Sequence, residues 1–476
     1  MSSLDRVLSR VLRRAEPQPE QKSRLLALSK NLLSLVQQEC QRSRLGAEAT
    51  LQGSVAKDTW IPSKEEIDIF VSFNQAVTRE RMEKSIIRMG KSVVRAAGGK
   101  PVLRYAEHPF VEGRVNDILV NIVACYRVPR GSWMTAADRT PHHTQYIIEK
   151  MNDQIKKETR LLKSFLVGTG IYGAEIRVGG FSGYLSELLA IRYKSFKSTI
   201  KAAARWKPPT VIDIEALLKP KTEAVERFPD ASLIVVDPVD PNRNVAAAVT
   251  PEKFSEMIMA SQTLLEKPRI AIFFPPQRRK PVTSQLLKRV RREQRNLLAF
   301  VLEDNREVSP DVLWGELKRT IKGIHRLLDL KGYGAIRSQP WSNSTTHVLL
   351  FELESLHLPR VYRHPGPPIY VPDAKKFLQK HLASTSTLSG PWVEGYRLQV
   401  ARRRERTRAS DIIRQALKEG QVSVSKSLTT ALKRCQILEG ETVLGLCERL
   451  PGFSGFLFDF LGGRAPFLKR SAIDRS

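Results

Sequence analysis

The sequence predicts an α+β protein of several domains, with a small mixed α/β head, a helical middle and a mixed α/β C-terminal region. Three observations carry this. Helix-like and strand-like segments alternate up to Tyr126, and one of them alternates acidic and apolar residues, Glu66-Ile67-Asp68-Ile69-Phe70. From Thr140 to Glu266 the periodicity is mostly helical. From Ile270 onward strands and helices mix again, in sequence dense in Lys and Arg. At 476 residues the chain has room for about three domains, which we place at 1–145, 146–268 and 269–476.

The elements follow in order. Arg6, Arg10, Arg13 and Arg14 stand among apolar residues at helical spacing, which predicts an amphipathic docking helix at the start. No uninterrupted apolar stretch there makes a signal peptide, and none elsewhere is long enough to span a membrane. Leu25, Leu26, Leu28, Leu32, Leu33 and Val36 continue a helical pattern over residues 20–45. A Gly-Ser turn at Gly53 leads to a strand from Ile67 to Phe73. A helix follows from Arg79 to Ala97, ended by Gly98-Gly99, then strands Val102 to Ala106 and Val115 to Tyr126. Ile147 to Gly168 reads as one long helix with Gly168 and Gly170 as its stop. Further helices are expected over Leu185 to Trp206 and Pro251 to Glu266, with the apolar run Leu233 to Val236 between them. Beyond Lys267-Pro268 come strands at Ile270 to Phe274, Leu297 to Leu302 and Thr346 to Glu352, and a helix from Val312 to Leu328.

Lys and Arg number 78 against 49 Asp and Glu, a formal net charge of +29. A field of this sign attracts polyanions, above all nucleic acid, with strong salt dependence. Hydrophobic content of 41% and charged content of 27% exclude a disordered chain. The basic runs 277–295 and 402–408 either hold phosphates or form solvated helix faces. Trp341, Phe351, Tyr362, Tyr370, Trp392 and Tyr396 either stack on bases or fill cores. Cys40, Cys125, Cys435 and Cys447 lie far apart with no CxxC pair, which suggests neither a disulfide framework nor a structural zinc site and fits a reducing cytoplasm.

The chemistry concentrates in Gly53-Ser54-Val55-Ala56-Lys57-Asp58-Thr59-Trp60 and the strand after it. Strand side chains alternate faces, so Glu66 and Asp68 point one way while Ile67 and Ile69 point into a core. Two like charges on one face repel unless a cation sits between them, an arrangement suited to Mg²⁺ with phosphate oxygens. The Gly-Ser turn offers backbone N–H groups and a hydroxyl to a triphosphate. Together they read as a nucleotidyl-transfer site. The plainer reading is a Gly-Ser loop beside a strand with a polar outer face, and the close spacing of the two halves favours the first.

These residues resemble the nucleotidyltransferase signature of the polymerase-beta superfamily, which implies a polymerase-beta-like head. More broadly the chain resembles the archaeal, class I CCA-adding enzymes, the template-independent tRNA nucleotidyltransferases. Dispersed blocks carry the likeness: the Gly53 to Trp60 turn with Glu66-Ile67-Asp68, Arg104-Tyr105-Ala106-Glu107-His108-Pro109, Asp138-Arg139-Thr140-Pro141-His142-His143, Arg160-Leu161-Leu162-Lys163, Gly170 to Glu175, Gly180 to Tyr184, and Val236 to Asp240 with Arg243-Asn244-Val245-Ala246-Ala247. The resemblance implies attack of the tRNA 3′-hydroxyl on the α-phosphate of CTP or ATP, with release of pyrophosphate and Mg²⁺ as cofactor. It implies that Glu66 and Asp68 hold metal, and that Gly53 and Ser54 hold the β- and γ-phosphates with Lys57 adding charge. The family more often has Arg at that position, and Lys is a point charge rather than a fork.

His143, Lys163 and Tyr172 fall where the family contacts the triphosphate. Singly, each has a structural alternative: a helix-start residue, a solvated helix lysine, a packed turn aromatic. Arg243 either reads the edge of the incoming base or pairs with Asp237 or Asp240. The resemblance also implies tRNA binding through the acceptor arm and 3′ end, a helical substrate-binding middle, an RNA-binding C-terminal region, a homodimer and a cytoplasmic location.

One position departs from the pattern. The family's third carboxylate is expected in Val120-Asn121-Ile122-Val123-Ala124-Cys125-Tyr126, where Asn121 stands in place of Asp and Ala124 in place of Pro. An amide oxygen still coordinates Mg²⁺ but brings no negative charge and is no base. Three consequences compete: a tRNA- and nucleotide-binding relative without turnover, partial rescue by Asp117, or slow turnover on two carboxylates. Asp117 lies four residues back along the strand, roughly 13 Å away. A poly(A)-polymerase-like terminal transferase is a further alternative, separated by its open-ended product.

Overall fold

The computed structural model describes residues 2–105, 107–218, 221–276 and 281–468. Ala106 of the Arg104 block and residues 277–280 of the first basic run lie outside them. The chain divides into two compact units, Met1–Gln277 with Arg464–Ser476, and Arg278–Gly463.

The first unit begins with helices α1 (Ser3–Ala15) and α2 (Pro19–Ser43). Ser2 caps α1 reciprocally with Asp5, and Pro19 opens α2, where its missing N–H costs nothing. A five-stranded sheet follows, built from β1 (Glu48–Gln52), β2 (Glu66–Phe73), β3 (Lys100–Tyr105), β4 (Pro109–Val115) and β5 (Ile118–Tyr126), in the order β1-β2-β5-β4-β3. Only β2 and β5 run parallel. The turn α3 (Gly53–Ala56) joins β1 towards β2, and α4 (Arg79–Ala96), capped by Thr78, crosses over from β2. Ile67, Ile69, Val71, Val120 and Ile122 fill one side of this sheet with Leu25, Leu32, Val36, Ile86 and Val93 from α2 and α4. Alternation therefore turns Glu66, Asp68 and Asn121 away from that core.

The expected strand from Val115 to Tyr126 is two strands. Asn116 and Asp117 both adopt positive φ, 50° and 63°, and make the two-residue turn of the β4–β5 hairpin. The expected helix from Ile147 to Gly168 is likewise two, α5 (Arg139–Lys150) and α6 (Asp153–Thr169). Asn152 breaks them, its side chain accepting from the Ile155 N–H at 2.9 Å as an N-cap. Leu185 to Trp206 divides into α7 (Gly183–Tyr193) and α8 (Phe196–Ala203), because Lys194 adopts a left-handed conformation and Ser195 caps the next helix. A small parallel pair, β6 (Thr210–Asp213) and β7 (Leu233–Val236), flanks α9 (Lys221–Arg227), and α10 (Pro251–Glu266) completes the layer. Its core gathers Leu162, Phe165, Phe181, Leu188, Phe254 and Phe273. Ile270–Ile272 is a turn of 3-10 helix, not the expected strand, and it packs in that core.

The second unit holds a four-stranded antiparallel sheet ordered Gln436–Glu439, Asn296–Glu303, Thr346–Leu353, Ala335–Ser342. Helix Pro310–Leu330 covers one side and Phe453–Gly462 the other. A separate three-stranded sheet, Val361–Pro368, Arg397–Arg403 and Thr387–Glu394, packs on helix Asp373–Leu382. Arg402 and Arg403 of the second basic run lie on a strand rather than a helix. Phe351 is core, whereas Tyr370 and Tyr396 are 75% and 76% exposed.

Candidate active site

Glu66 and Asp68 stand two residues apart on β2. Asp68 is in register with Asn121 on the parallel neighbour β5. The Asn121 amide donates through Nδ2 to Asp68 Oδ1 at 3.0 Å and also to Glu66 Oε1. Burial, then repulsion from Asp68, pushes the Glu66 carboxyl up to about 7. Burial raises Asp68 as well, against the Asn121 hydrogen bond. Neither carboxylate forms an ion pair with Lys or Arg among the described residues. Two half-buried carboxylates without an ion-pair partner make an oxygen donor pair that fits a hard divalent ion. Among the described residues no cluster of three or more His, Cys, Asp or Glu could hold a metal, and the Asn121 amide presents its Nδ2 to both carboxylates.

Gly53 has φ +68°, and a Cβ there would overlap the Asp68 carboxylate. The turn therefore approaches the acidic strand as closely as glycine alone permits. Ser54 follows in α3, half-buried, with no hydrogen bond from its hydroxyl among the described residues. Asp117, the suggested rescuing acid, is exposed at the hairpin tip, and its carbonyl accepts from Arg114. It does not join the carboxylates, because the turn after β4 carries it to the end of the strand.

Lys57 and Lys163 meet on a residue that motif reading passed over. Glu187, fully buried on α7, accepts from Lys57 Nζ at 2.6 Å, Thr59 Oγ1 at 2.5 Å and Lys163 Nζ at 2.9 Å. Burial works to raise the Glu187 carboxyl, but the charges of Lys163 and Lys57 outweigh it and hold the group at about 2. Burial depresses Lys163. Tyr172 packs beside them; burial first, then the charges of Glu187 and Glu66, pushes its phenol up. The sequence carried a signal for Glu187, an acid inside the apolar run of α7, where an ionised group must find a partner.

His143, on α5, places Nε2 2.8 Å from Asp237 Oδ2 and stacks on Tyr184 with ring centroids 4.1 Å apart. Tyr184 donates to Asp237 Oδ1 at 3.1 Å, as does the Val239 N–H at 3.0 Å. Arg243 gives Nη1 to Asp237 Oδ2 at 2.8 Å and keeps 38% of its side chain exposed. Of the two acids offered for Arg243, then, Asp237 is the partner, and Asp240 pairs with Arg139. Burial opposes ionisation of Asp237, but the His143 hydrogen bond and charge, with Val239 and Arg243, hold it at about 2. Burial depresses His143. Lys57 Nζ lies 5.8 Å from the Tyr184 ring, which links this cluster to the Glu187 cluster.

A nucleotidyltransferase domain model matches residues 33–159, the second domain of tRNA nucleotidyltransferase matches 157–274, and the C-terminal domain of CCA-adding enzyme matches 295–440. The CCA-adding enzyme of Pyrobaculum neutrophilum is 36% identical over 88% of this chain and 95% of its own length. That of Methanothermobacter thermautotrophicus is 33% identical over 90% and 91%. That of Methanopyrus kandleri is 32% identical over 97% and 98%. Among solved structures, a cytoplasmic RNA terminal U-transferase aligns at 13% identity with a TM-score of 0.45, over 57% of this chain and 98% of that one. Nucleotidyltransferases of this family generally use divalent metal ions. No helix among the described residues is long and apolar enough to cross a membrane. With three domain models in sequence order and relatives matched nearly end to end, the chain belongs to the archaeal CCA-adding enzymes.

Proposed function

We propose that Glu66 and Asp68, with Asn121 beside them, hold Mg²⁺ for template-independent addition of C, C and A to the 3′ end of tRNA. The observation that carries this is the pair of half-buried carboxylates, without an ion-pair partner among the described residues, beside the Gly53 turn. Bound divalent ions would neutralise developing charge on the attacking and leaving oxygens. The chain's own groups do the rest. Gly53 lets the backbone approach closely, and the unengaged Ser54 hydroxyl takes a phosphate oxygen of CTP or ATP. Lys57 and Lys163 share one carboxylate, so the cluster holds a surplus positive charge towards the triphosphate. Tyr172 stays a neutral donor. Asp237 fixes His143 and one arm of Arg243, leaving the exposed remainder of the guanidinium to meet the base or phosphates. The tRNA 3′-hydroxyl attacks the α-phosphate and pyrophosphate leaves.

Asn121 removes one negative charge from this row, and its amide N–H groups compete for the carboxylates. Turnover suffers more than nucleotide binding. The basic residues 281–295 and 402–408 engage the tRNA backbone, the protein works as a homodimer in the cytoplasm, and a domain boundary falls near 145. The test is tRNA lacking its CCA end with CTP, ATP and Mg²⁺, read on a sequencing gel for this chain and Asn121→Asp. A three-nucleotide product from both, faster for Asn121→Asp, is expected. No product from either overturns the reading, and an open-ended tail replaces it with a poly(A)-polymerase-like activity.

A further inference from the structure

Asn121 sits on the central strand of a row of three. Its in-register neighbours are Asp68 on β2 and Glu112 on β4. Directly opposed residues of an antiparallel pair have Cβ atoms about 5 Å apart on the same face. Glu112 therefore rises beside the amide, on the side opposite Asp68, with a longer reach than the aspartate expected at 121. We infer that Glu112, standing beside the divalent-ion site rather than among its ligands, supplies the negative charge that Asn121 does not.

The partners of Glu112 leave it able to do so. Arg104 places both Nε and Nη2 on the same oxygen, Oε1, at 3.0 and 2.7 Å. Oε2 takes no hydrogen bond among the described residues. The Arg104 ion pair therefore leaves one carboxylate oxygen of Glu112 open. Its side chain is 23% exposed, so water screens its charge only partly. Charge at the site thus moves by one strand, from the middle of the row to its edge. In Asn121→Asp with Glu112 retained, the new aspartate would stand between Asp68 and Glu112. Three carboxylates side by side make a repulsive row in which the glutamate becomes superfluous.

The inference rests on the reading of Glu66 and Asp68 as ion-holding residues, and its test separates the two. Full-length protein without tRNA or nucleotide is titrated with Mn²⁺, followed by water-proton relaxation, with thermal melting of each variant alongside. Glu112→Gln should weaken Mn²⁺ binding about tenfold, the scale seen when a group supporting a metal site is lost. Arg104→Leu, which frees Glu112, should leave it unchanged or tighter. In an Asn121→Asp background the Glu112→Gln effect should shrink to within about twofold. Unchanged binding in Glu112→Gln, equal weakening in Arg104→Leu, or an undiminished effect in the Asn121→Asp background each overturns the inference. Should neither the original chain nor Asn121→Asp bind Mn²⁺, the reading of Glu66 and Asp68 fails first and takes this one with it.

Discussion

Gly53 and Asp68 occupy space that admits no side chain between them: a Cβ on the turn would overlap the carboxylate. The positive φ of Gly53 adds a second constraint, since L-residues rarely hold +68°. Gly53→Ala should therefore do two things at once. The backbone penalty alone is about 1 kcal/mol, visible as a small drop in melting temperature. Displacing Asp68 or the turn by about an ångström should lower turnover about 100-fold. Steady-state rates with tRNA ending before its CCA check this, and full activity in Gly53→Ala would show that the turn is not held against Asp68.

The raised Glu66 carboxyl makes stability depend on pH in a defined direction. Its folded value is about 7, against 4.5 for the free side chain. Between these values the folded state binds more proton than the unfolded state, so this contribution is full below pH 4.5 and lost as pH rises through 7. The full loss amounts to about 3 kcal/mol at most. In EDTA, the melting temperature of the protein relative to Glu66→Gln should fall from pH 5 to pH 8. Excess Mg²⁺ should flatten that fall by taking the place of the proton. A difference curve that rises with pH contradicts the burial of an unpaired Glu66.

The carboxylate strand, the turn and the helical middle were legible because each has a local signal: alternation, a Gly-Ser pair, 3.6-residue periodicity. The breaks were not. Asn152 and Lys194 interrupt helices whose apolar spacing runs on across the interruption, and only the Asn152 cap marks the first break in sequence. Asn116-Asp117 is a turn without glycine, carried by two residues that tolerate positive φ. The partnerships of Glu187 and Glu112 were hidden for a different reason. Lys57 and Glu187 are 130 positions apart, and the neighbours of Asn121 depend on strand order, which spacing along one strand does not reveal.

Among the described residues Glu187 is the one carboxylate facing two buried lysines, and removing its charge strands both. Glu187→Gln should cost roughly 3–5 kcal/mol, the scale for leaving a buried charge without its partner. Lys163→Met should cost less, because Lys57 and Thr59 still satisfy the acid. Urea unfolding of the three proteins checks the order. Equal stabilities would mean that solvent reaches the cluster.

Asp237 receives four donors, from His143, Tyr184, Arg243 and the Val239 backbone, and an asparagine accepts through only one of its two heavy atoms. Asp237→Asn must turn an NH₂ group towards at least one donor, and leaves Arg243 without a counter-charge. Destabilisation of about 2–4 kcal/mol is expected. Arg243→Ala is different in kind. It removes one of four donors and a partly exposed guanidinium, so the fold should change little while the discrimination between CTP and ATP relaxes. The two variants, compared by urea unfolding and by incorporation of each nucleotide at each position of the tail, separate the anchor from the group it presents. If Arg243→Ala unfolds as easily as Asp237→Asn and still selects C and A correctly, Arg243 belongs to the anchor alone.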